Sequence, residues 1–95
     1  MTMEPEEIVA GEWVIRLDDN VVELMHKTGA SHRFHVNYVA VEAEPRDEGG
    51  LSLRVGVEVD GQIVEGSTVD VPTELESEVT ELFGEAKRRR EELQS

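Results

Sequence analysis

The chain of 95 residues contains no cysteine. This absence excludes disulfides, zinc–thiolate sites, iron–sulfur clusters and thiol nucleophiles, and it is compatible with a reducing compartment. The sequence also lacks any run of about 18 apolar residues, so no transmembrane helix is predicted. Its first residues, MTMEPEEIVAGE, lack the basic and apolar segments of a secretory signal. We therefore expect a cytoplasmic protein that forms one small domain.

Basic residues are few. The chain has nine against 22 acidic residues, which gives a net charge of −13, and four of the nine are consecutive, from Lys87 to Arg90. A field of this sign repels the phosphates of nucleic acids and of anionic lipids, so we expect neither nucleic acid nor a membrane as partner. The charge favours a partner with a basic surface, and it also keeps copies of the protein apart in solution.

Strands are predicted from residue 11 onwards. Residues 1–10 are acidic, contain Pro5 and are expected to form a flexible leader. In EWVIRLDDN the residues Trp13, Ile15 and Leu17 alternate with their neighbours, and in VVELMHKT the residues Val22, Leu24 and His26 share one face. The turn residues Asp18–Asn20 between the two segments predict a hairpin. In SHRFHVNYVAVEAEP the apolar phase changes at Asn37–Tyr38, so we expect two short strands that meet at a corner.

The second half of the predicted sheet is a hairpin. In LSLRVGVEVD the alternate residues from Leu51 to Val59 are apolar and are expected to face the core. Asp60–Gly61 is a typical two-residue hairpin turn. QIVEGSTVDV follows as the last strand, with Gly66 as the candidate site of a bulge.

One amphipathic helix is predicted at about residues 73–93. Thr73 and Glu76 match the T-x-x-E capping box. Acidic residues at the start and the basic run at the end both agree with the helix dipole. The apolar stripe consists of Leu75, Val79, Leu82, Phe83 and Ala86.

This order of elements resembles that of small bacterial pleckstrin-homology-like (PH-like) domains. Val39-Ala40-Val41-Glu42 is similar to their V-x-V-E strand, Gly50-Leu51-Ser52-Leu53 to the strand after their glycine-rich turn, and Phe83-Gly84-Glu85-Ala86-Lys87 to their closing helix. The resemblance covers about residues 11–92. It implies an α+β fold over residues 11–95, in which a bent antiparallel sheet or small barrel of about six to seven strands is closed by the helix. An open antiparallel sheet packed on one helix is the alternative.

The PH-like resemblance also implies a binding or assembly module rather than an enzyme. Members that bind phosphoinositides use a basic loop between their first two strands. The corresponding loop is Asp18-Asp19-Asn20, which has the opposite charge. Lipid binding is therefore disfavoured.

All three histidines, His26, His32 and His35, lie within ten residues of one another. Residues three apart in a strand point to opposite faces, so His32 and His35 share a metal only if a bulge lies between them. We therefore expect neither a metal site nor a cofactor, because zinc needs three or four convergent ligands. A small metal- or ligand-binding protein that uses these three histidines is the alternative function.

No catalytic residues are predicted. Glu42 and Glu44 share a strand face, but in a chain with 22 acidic residues such pairs arise by chance. Neither a nucleophile elbow nor a phosphate-binding loop is present. We expect a protein that is not an enzyme.

The expected function is a non-enzymatic protein-interaction or self-assembly module. Its partner would be another protein or a second copy in a homodimer, and strand edges are one expected surface. A further hypothesis is an acidic mimic of nucleic acid that binds a basic partner, which requires carboxylates in regular rows. The interaction residues predicted at the end of the helix are Ala86, Lys87, Arg88, Arg89, Arg90 and Leu93.

Overall fold

A computed structural model describes residues 6–94 and shows an α+β fold. Within these residues, seven antiparallel strands form two sheets. The first sheet contains β1 (Glu6–Ala10), β2 (Trp13–Asp18), β3 (Val21–His26) and β4 (Ser31–His35), and the second contains β5 (Val39–Pro45), β6 (Leu51–Val59) and β7 (Gln62–Val71). A 3₁₀ turn, Thr73–Leu75, then leads into the helix α1, Glu76–Gln94.

The first sheet is a meander in which each strand pairs with the next along the chain. Ile15 of β2 lies opposite Leu24 of β3, and Val22 of β3 lies opposite Phe34 of β4. All four side chains are buried, because residues directly opposite each other in a pair of strands share one face. The hairpin predicted from the two alternating segments is confirmed.

The predicted leader is wrong for residues 6–10, which form β1. Ile8 lies opposite Ile15 of β2, and Ala10, which is fully buried, lies opposite Trp13. The short alternation was not recognised because only two of its residues, Ile8 and Ala10, pack on the core and the others are acidic or exposed. Residues 1–5, the rest of the predicted leader, lie outside the described residues.

The predicted corner at Asn37–Tyr38 is confirmed, because β4 ends before it and β5 begins the second sheet after it. The turn between β6 and β7 is also confirmed: Asp60 and Gly61 have φ values of 51° and 79°, as a type I′ turn requires. Val59, predicted to face the core, is 49% exposed because β6 and β7 extend past the core.

A bulge interrupts β7 where Gly66 predicted one. Val55 of β6 lies opposite Ser67, whereas Val57 lies opposite Val64, so β7 has one extra residue between the two pairs. Glu65 at this point has a φ of 55°. The extra residue increases the local twist of the hairpin, as bulges do.

The core is one cluster between the two sheets and α1. The helix contributes Val79, Leu82 and Ala86, which are buried as the apolar stripe predicted. The predicted capping box is wrong. The residue before the 3₁₀ turn is Pro72, which makes no side-chain capping hydrogen bond, and Thr73 lies inside the turn.

The sheets do not close into a barrel. Within residues 6–94, no ladder of hydrogen bonds joins a strand of the first sheet to a strand of the second. At one side the two sheets approach each other, where Gly11 after β1 lies near the carbonyl of Asp70 in β7. The helix α1 contains no segment that is apolar enough to span a membrane.

Candidate interaction groove

The three histidines occupy different surroundings. The imidazole of His26 has Nε2 3.2 Å from Oε2 of Glu12 and Nδ1 2.8 Å from the Thr28 hydroxyl. His32 lies opposite Leu24, on the core face of the first sheet but exposed at its edge. His35 is on the outer face, where its Nδ1 accepts the backbone N–H of Asn37 at 3.1 Å.

The structure does not gather these histidines into a metal site. In the part of the chain from residue 6 to 94, no group of three or more histidine or carboxylate side chains is arranged to hold a metal ion. His26 instead packs edge-on against Trp13, with ring centroids 4.7 Å apart. His26 therefore contributes packing and hydrogen bonds at one end of the first sheet.

The carboxyl groups of Glu12 and Glu85 have lowered pKa values, which favours their charged form. A hydrogen bond from Lys27, followed by one from His26, lowers the pKa of Glu12 below its usual value. Hydrogen bonding by Arg88 lowers the pKa of Glu85 in the same way. A general acid needs a raised pKa, so neither carboxyl is suited to that role.

The basic run at the end of α1 is largely engaged within the chain. Ala86 and Arg89, predicted as interaction residues, are only 2% and 9% exposed, although Ala86 lines the groove described below. Arg89 donates hydrogen bonds to the backbone carbonyl of Asp19 and to Glu85. The run fails to form one basic patch because consecutive helical residues point in different directions.

The other predicted interaction residues lie at the surface, but two of them have intrachain partners. Arg88 donates two hydrogen bonds to Glu85, at 3.0 and 2.6 Å. A guanidinium nitrogen of Arg90 lies 3.8 Å from a carboxylate oxygen of Glu58. Lys87 lines the groove described next, and Leu93 is 49% exposed.

A groove of about 570 Å³ lies between β5, the end of the β6–β7 hairpin and the C-terminal half of α1. Four successive residues of β5, Val39–Glu42, line it. Successive side chains of a strand point to opposite faces, so a groove that is lined by four in a row reaches both faces of β5. We call this feature the β5–α1 groove.

The edge of β5 that faces away from β6 has unpaired backbone groups. The N–H of Glu58 donates to the carbonyl of Tyr38, and the N–H of Arg46 donates to the carbonyl of Gly50. Tyr38–Glu58 and Arg46–Gly50, which lie just before and just after β5, are therefore hydrogen-bonded pairs of the antiparallel ladder. Such pairs alternate along an antiparallel ladder. The N–H and C=O groups that point away from β6 are therefore those at alternate positions, namely Val39, Val41 and Ala43.

No other strand in the described part of the chain covers this edge. Among the strands of residues 6–94, β5 pairs only with β6. Pro45 ends the strand and has no N–H, which limits the available edge to its first five residues, Val39–Ala43. The groove therefore presents a short row of free donors and acceptors.

The lining of the groove is apolar at its base and charged at its rim. The apolar base includes Val36, Val39, Val41, Ile63 and Phe83. The charged rim consists of Glu42, Glu58, Lys87, Arg90 and Glu91. An apolar base with a few charged groups is typical of sites that bind other molecules.

Sequence analysis predicted strand edges in general but did not identify this edge. The sequence feature that points to this edge is the change in the phase of the apolar residues at Asn37–Tyr38. A chain that turns a corner there starts a new sheet, and the first strand of a sheet has a free edge unless a later strand covers it. Whether a later strand does so depends on tertiary structure.

No family model, no curated protein and no solved structure matches the chain.

Proposed function

We propose that this protein is a non-enzymatic, cytoplasmic interaction module that binds an extended segment of a partner protein in the β5–α1 groove. The observation that carries this proposal is the unpaired edge of β5 inside an apolar groove. A strand edge binds an added strand through backbone hydrogen bonds, and neighbouring pockets select its side chains.

The groove favours a single extended segment over the edge of another folded sheet. One wall is the edge of β5 and the other is α1, through Phe83, Lys87 and Arg90. A second copy that paired through its own β5 would have to place its β6 where α1 stands. A homodimer built through β5 is therefore the less favoured alternative.

We also propose that the fold is PH-like. The supporting features are the order of a four-stranded sheet, a three-stranded sheet and a C-terminal helix. Val79 and Leu82 of this helix are buried against the strands, as in a fold closed by a helix. Fold alone does not define function, so the proposal for the groove depends on the groove's own geometry.

The two other hypotheses gain no support from the geometry. The histidines do not converge, which leaves the metal- or ligand-binding hypothesis without a site. Acidic residues occur on the outer face of the first sheet at Glu23, of the second at Glu42, and on α1 at Glu81. A mimic of nucleic acid requires acidic rows on one surface, and this distribution is scattered.

A titration with an extended peptide tests the proposal. The probe is a capped seven-residue peptide that alternates valine with threonine, added to isotopically labelled protein and followed by NMR. We expect amide shifts at Val39–Ala43, which is the free edge of β5, and along Phe83–Gln94 of α1, which forms the other wall of the groove. Shifts confined to other surfaces, or no shift at millimolar peptide, would contradict the proposed function.

A proline substitution tests whether the peptide binds at the free edge of β5. Val41→Pro removes an N–H that points into the groove while leaving the hydrogen bonds to β6 in place. Losing one hydrogen bond worth about 1 kcal/mol weakens peptide binding roughly fivefold. Val41→Ala is the control, since it truncates the side chain but keeps the N–H. Equal affinity of the two variants would place the peptide elsewhere.

Val41 is half-buried, so a second proline variant at an exposed position keeps the test valid if Val41→Pro does not fold. Ala43 is exposed on the same edge, and its N–H also points away from β6. Ala43→Pro is compared with Ala43→Val, with the NMR spectrum of each as the check of folding. The same difference between proline and its control is expected at both positions.

A further inference from the structure

We infer that the segment bound in the β5–α1 groove is basic, with lysine or arginine alternating with aliphatic residues. This inference rests on the proposed function and adds the chemistry of the partner. It depends on the two faces of β5, which an added strand would continue.

The two faces of β5 differ in character. Val39 and Val41 lie opposite Val57 and Val55 of β6, and Val55 is part of the buried core. Glu42 and Glu44 point to the outer face, opposite Arg54 and Ser52. Side chains of an added strand would therefore alternate between an apolar face and an acidic face.

The two carboxylates on the outer face are not neutralised by their own sheet. Arg54, directly across from Glu42, donates instead to the backbone carbonyl of Ile63 at 3.3 Å. Within residues 6–94, no ion pair forms with Glu42 or Glu44. Cations placed two residues apart on an added strand would lie beside both carboxylates.

The opposite face of the groove disfavours a cation. Phe83 of α1 lines that side together with Val36 and Val39, and the charged residues that α1 adds are Lys87, Arg90 and Glu91. A basic side chain there would meet an apolar surface and two cations against one carboxylate. The aliphatic residues of the segment therefore face α1, and its basic residues face outward, which determines the phase of the alternation.

The charge of the whole chain acts in the same direction. A net charge of −13 attracts a basic segment and repels an acidic one before contact. It also disfavours a second copy as occupant, because that copy has the same Glu42 and Glu44 beside its edge. Like charges opposite one another destabilise strand pairing.

Three peptides of equal length test the inference by calorimetry. Each alternates valine with one other residue: lysine, threonine or glutamate. Two opposite-charge pairs across strands make the lysine peptide bind about fivefold tighter than the threonine peptide. The glutamate peptide is expected to bind more weakly than the threonine peptide.

A pair of variants separates local from overall charge. Glu42→Gln removes a carboxylate next to the groove. Asp70→Asn removes one from β7, on the same outer face, opposite Ser52 and away from the groove. We expect Glu42→Gln to reduce the preference for lysine over threonine by twofold or more, and Asp70→Asn to leave it within experimental error.

The outcomes distinguish this inference from the proposed function. If the three peptides bind at β5 with equal affinity, or if Asp70→Asn reduces the preference as much as Glu42→Gln, the inferred basic chemistry is wrong and the peptide-binding function stands. If none of the three peptides binds, the proposed function itself is wrong, and the inference fails with it.

Discussion

At the scale of single residues, Gly50 is the position with the least tolerance for change. It precedes β6 with a φ of 84°, and a Cβ placed on it would lie 2.1 Å from the carbonyl oxygen of Val71. Both the left-handed backbone and the close approach of β7 therefore require glycine. This contact lies next to Leu51–Val71, the pair at which the β6–β7 ladder begins.

Gly50→Ala is predicted to destabilise the fold by roughly 3 kcal/mol, because backbone strain and a steric clash add together. The free energy of unfolding in urea measures this effect. Gly61→Ala is the matched control, since Gly61 has a φ of 79° but nothing within 4 Å of a new Cβ. Its expected cost is about 1 kcal/mol, from strain alone. Equal losses in the two variants would show that the clash is relieved.

At the scale of elements, the contact between α1 and the β2–β3 turn depends on Arg89. Its guanidinium donates to the backbone carbonyl of Asp19, which has a φ of 54°, and it also contacts Glu85 of α1. A buried guanidinium is stable only where acceptors replace water. Arg89 therefore holds the C-terminal half of the helix, one wall of the β5–α1 groove, against the first sheet.

Arg89→Ala is predicted to lower the free energy of unfolding by about 2 kcal/mol, because charged hydrogen bonds and side-chain packing are both lost. Arg88→Ala is the control in the same basic run, with a side chain that is largely exposed, and a much smaller change is expected. Urea denaturation measures both. If Arg88→Ala were as costly as Arg89→Ala, overall helix charge would be the cause.

The elements also show how far periodicity predicts structure. Alternation located β2, β3 and β6, and the helical spacing located α1, because these patterns are written along a continuous stretch of chain. It missed β1, where only Ile8 and Ala10 mark the core face among acidic neighbours. The cap at Thr73 also failed, because Pro72 and a 3₁₀ turn, not the first turn of α1, begin the C-terminal segment.

At the scale of the whole molecule, the intrachain contacts of the basic run affect whether copies of the protein associate. Arg88, Arg89 and Arg90 contact Glu85, Asp19 and Glu58 of their own chain. An acidic neighbour would have to compete with these intrachain contacts, and the net charge of −13 repels a second copy. We expect the isolated protein to be a monomer.

Light scattering across a series from 50 to 500 mM salt checks this expectation. A mass near 10.6 kDa is predicted throughout, since neither an ionic nor an apolar contact between copies is favoured. A dimer that dissociates with added salt would show that the basic run reaches a neighbour. A dimer that persists at high salt would point to pairing through β5 or through Leu93.

The sequence by itself determined the α+β class, the corner at Asn37–Tyr38, the hairpin turn at Asp60–Gly61 and the helix, because each depends on local conformation and on spacing along the chain. Only the tertiary structure decided which basic side chains are buried and which strand edge stays open. Those features arise when distant segments meet: α1 beside β5, and Arg89 against Asp19. The β5–α1 groove is formed by such contacts, so no single stretch of the sequence displays it.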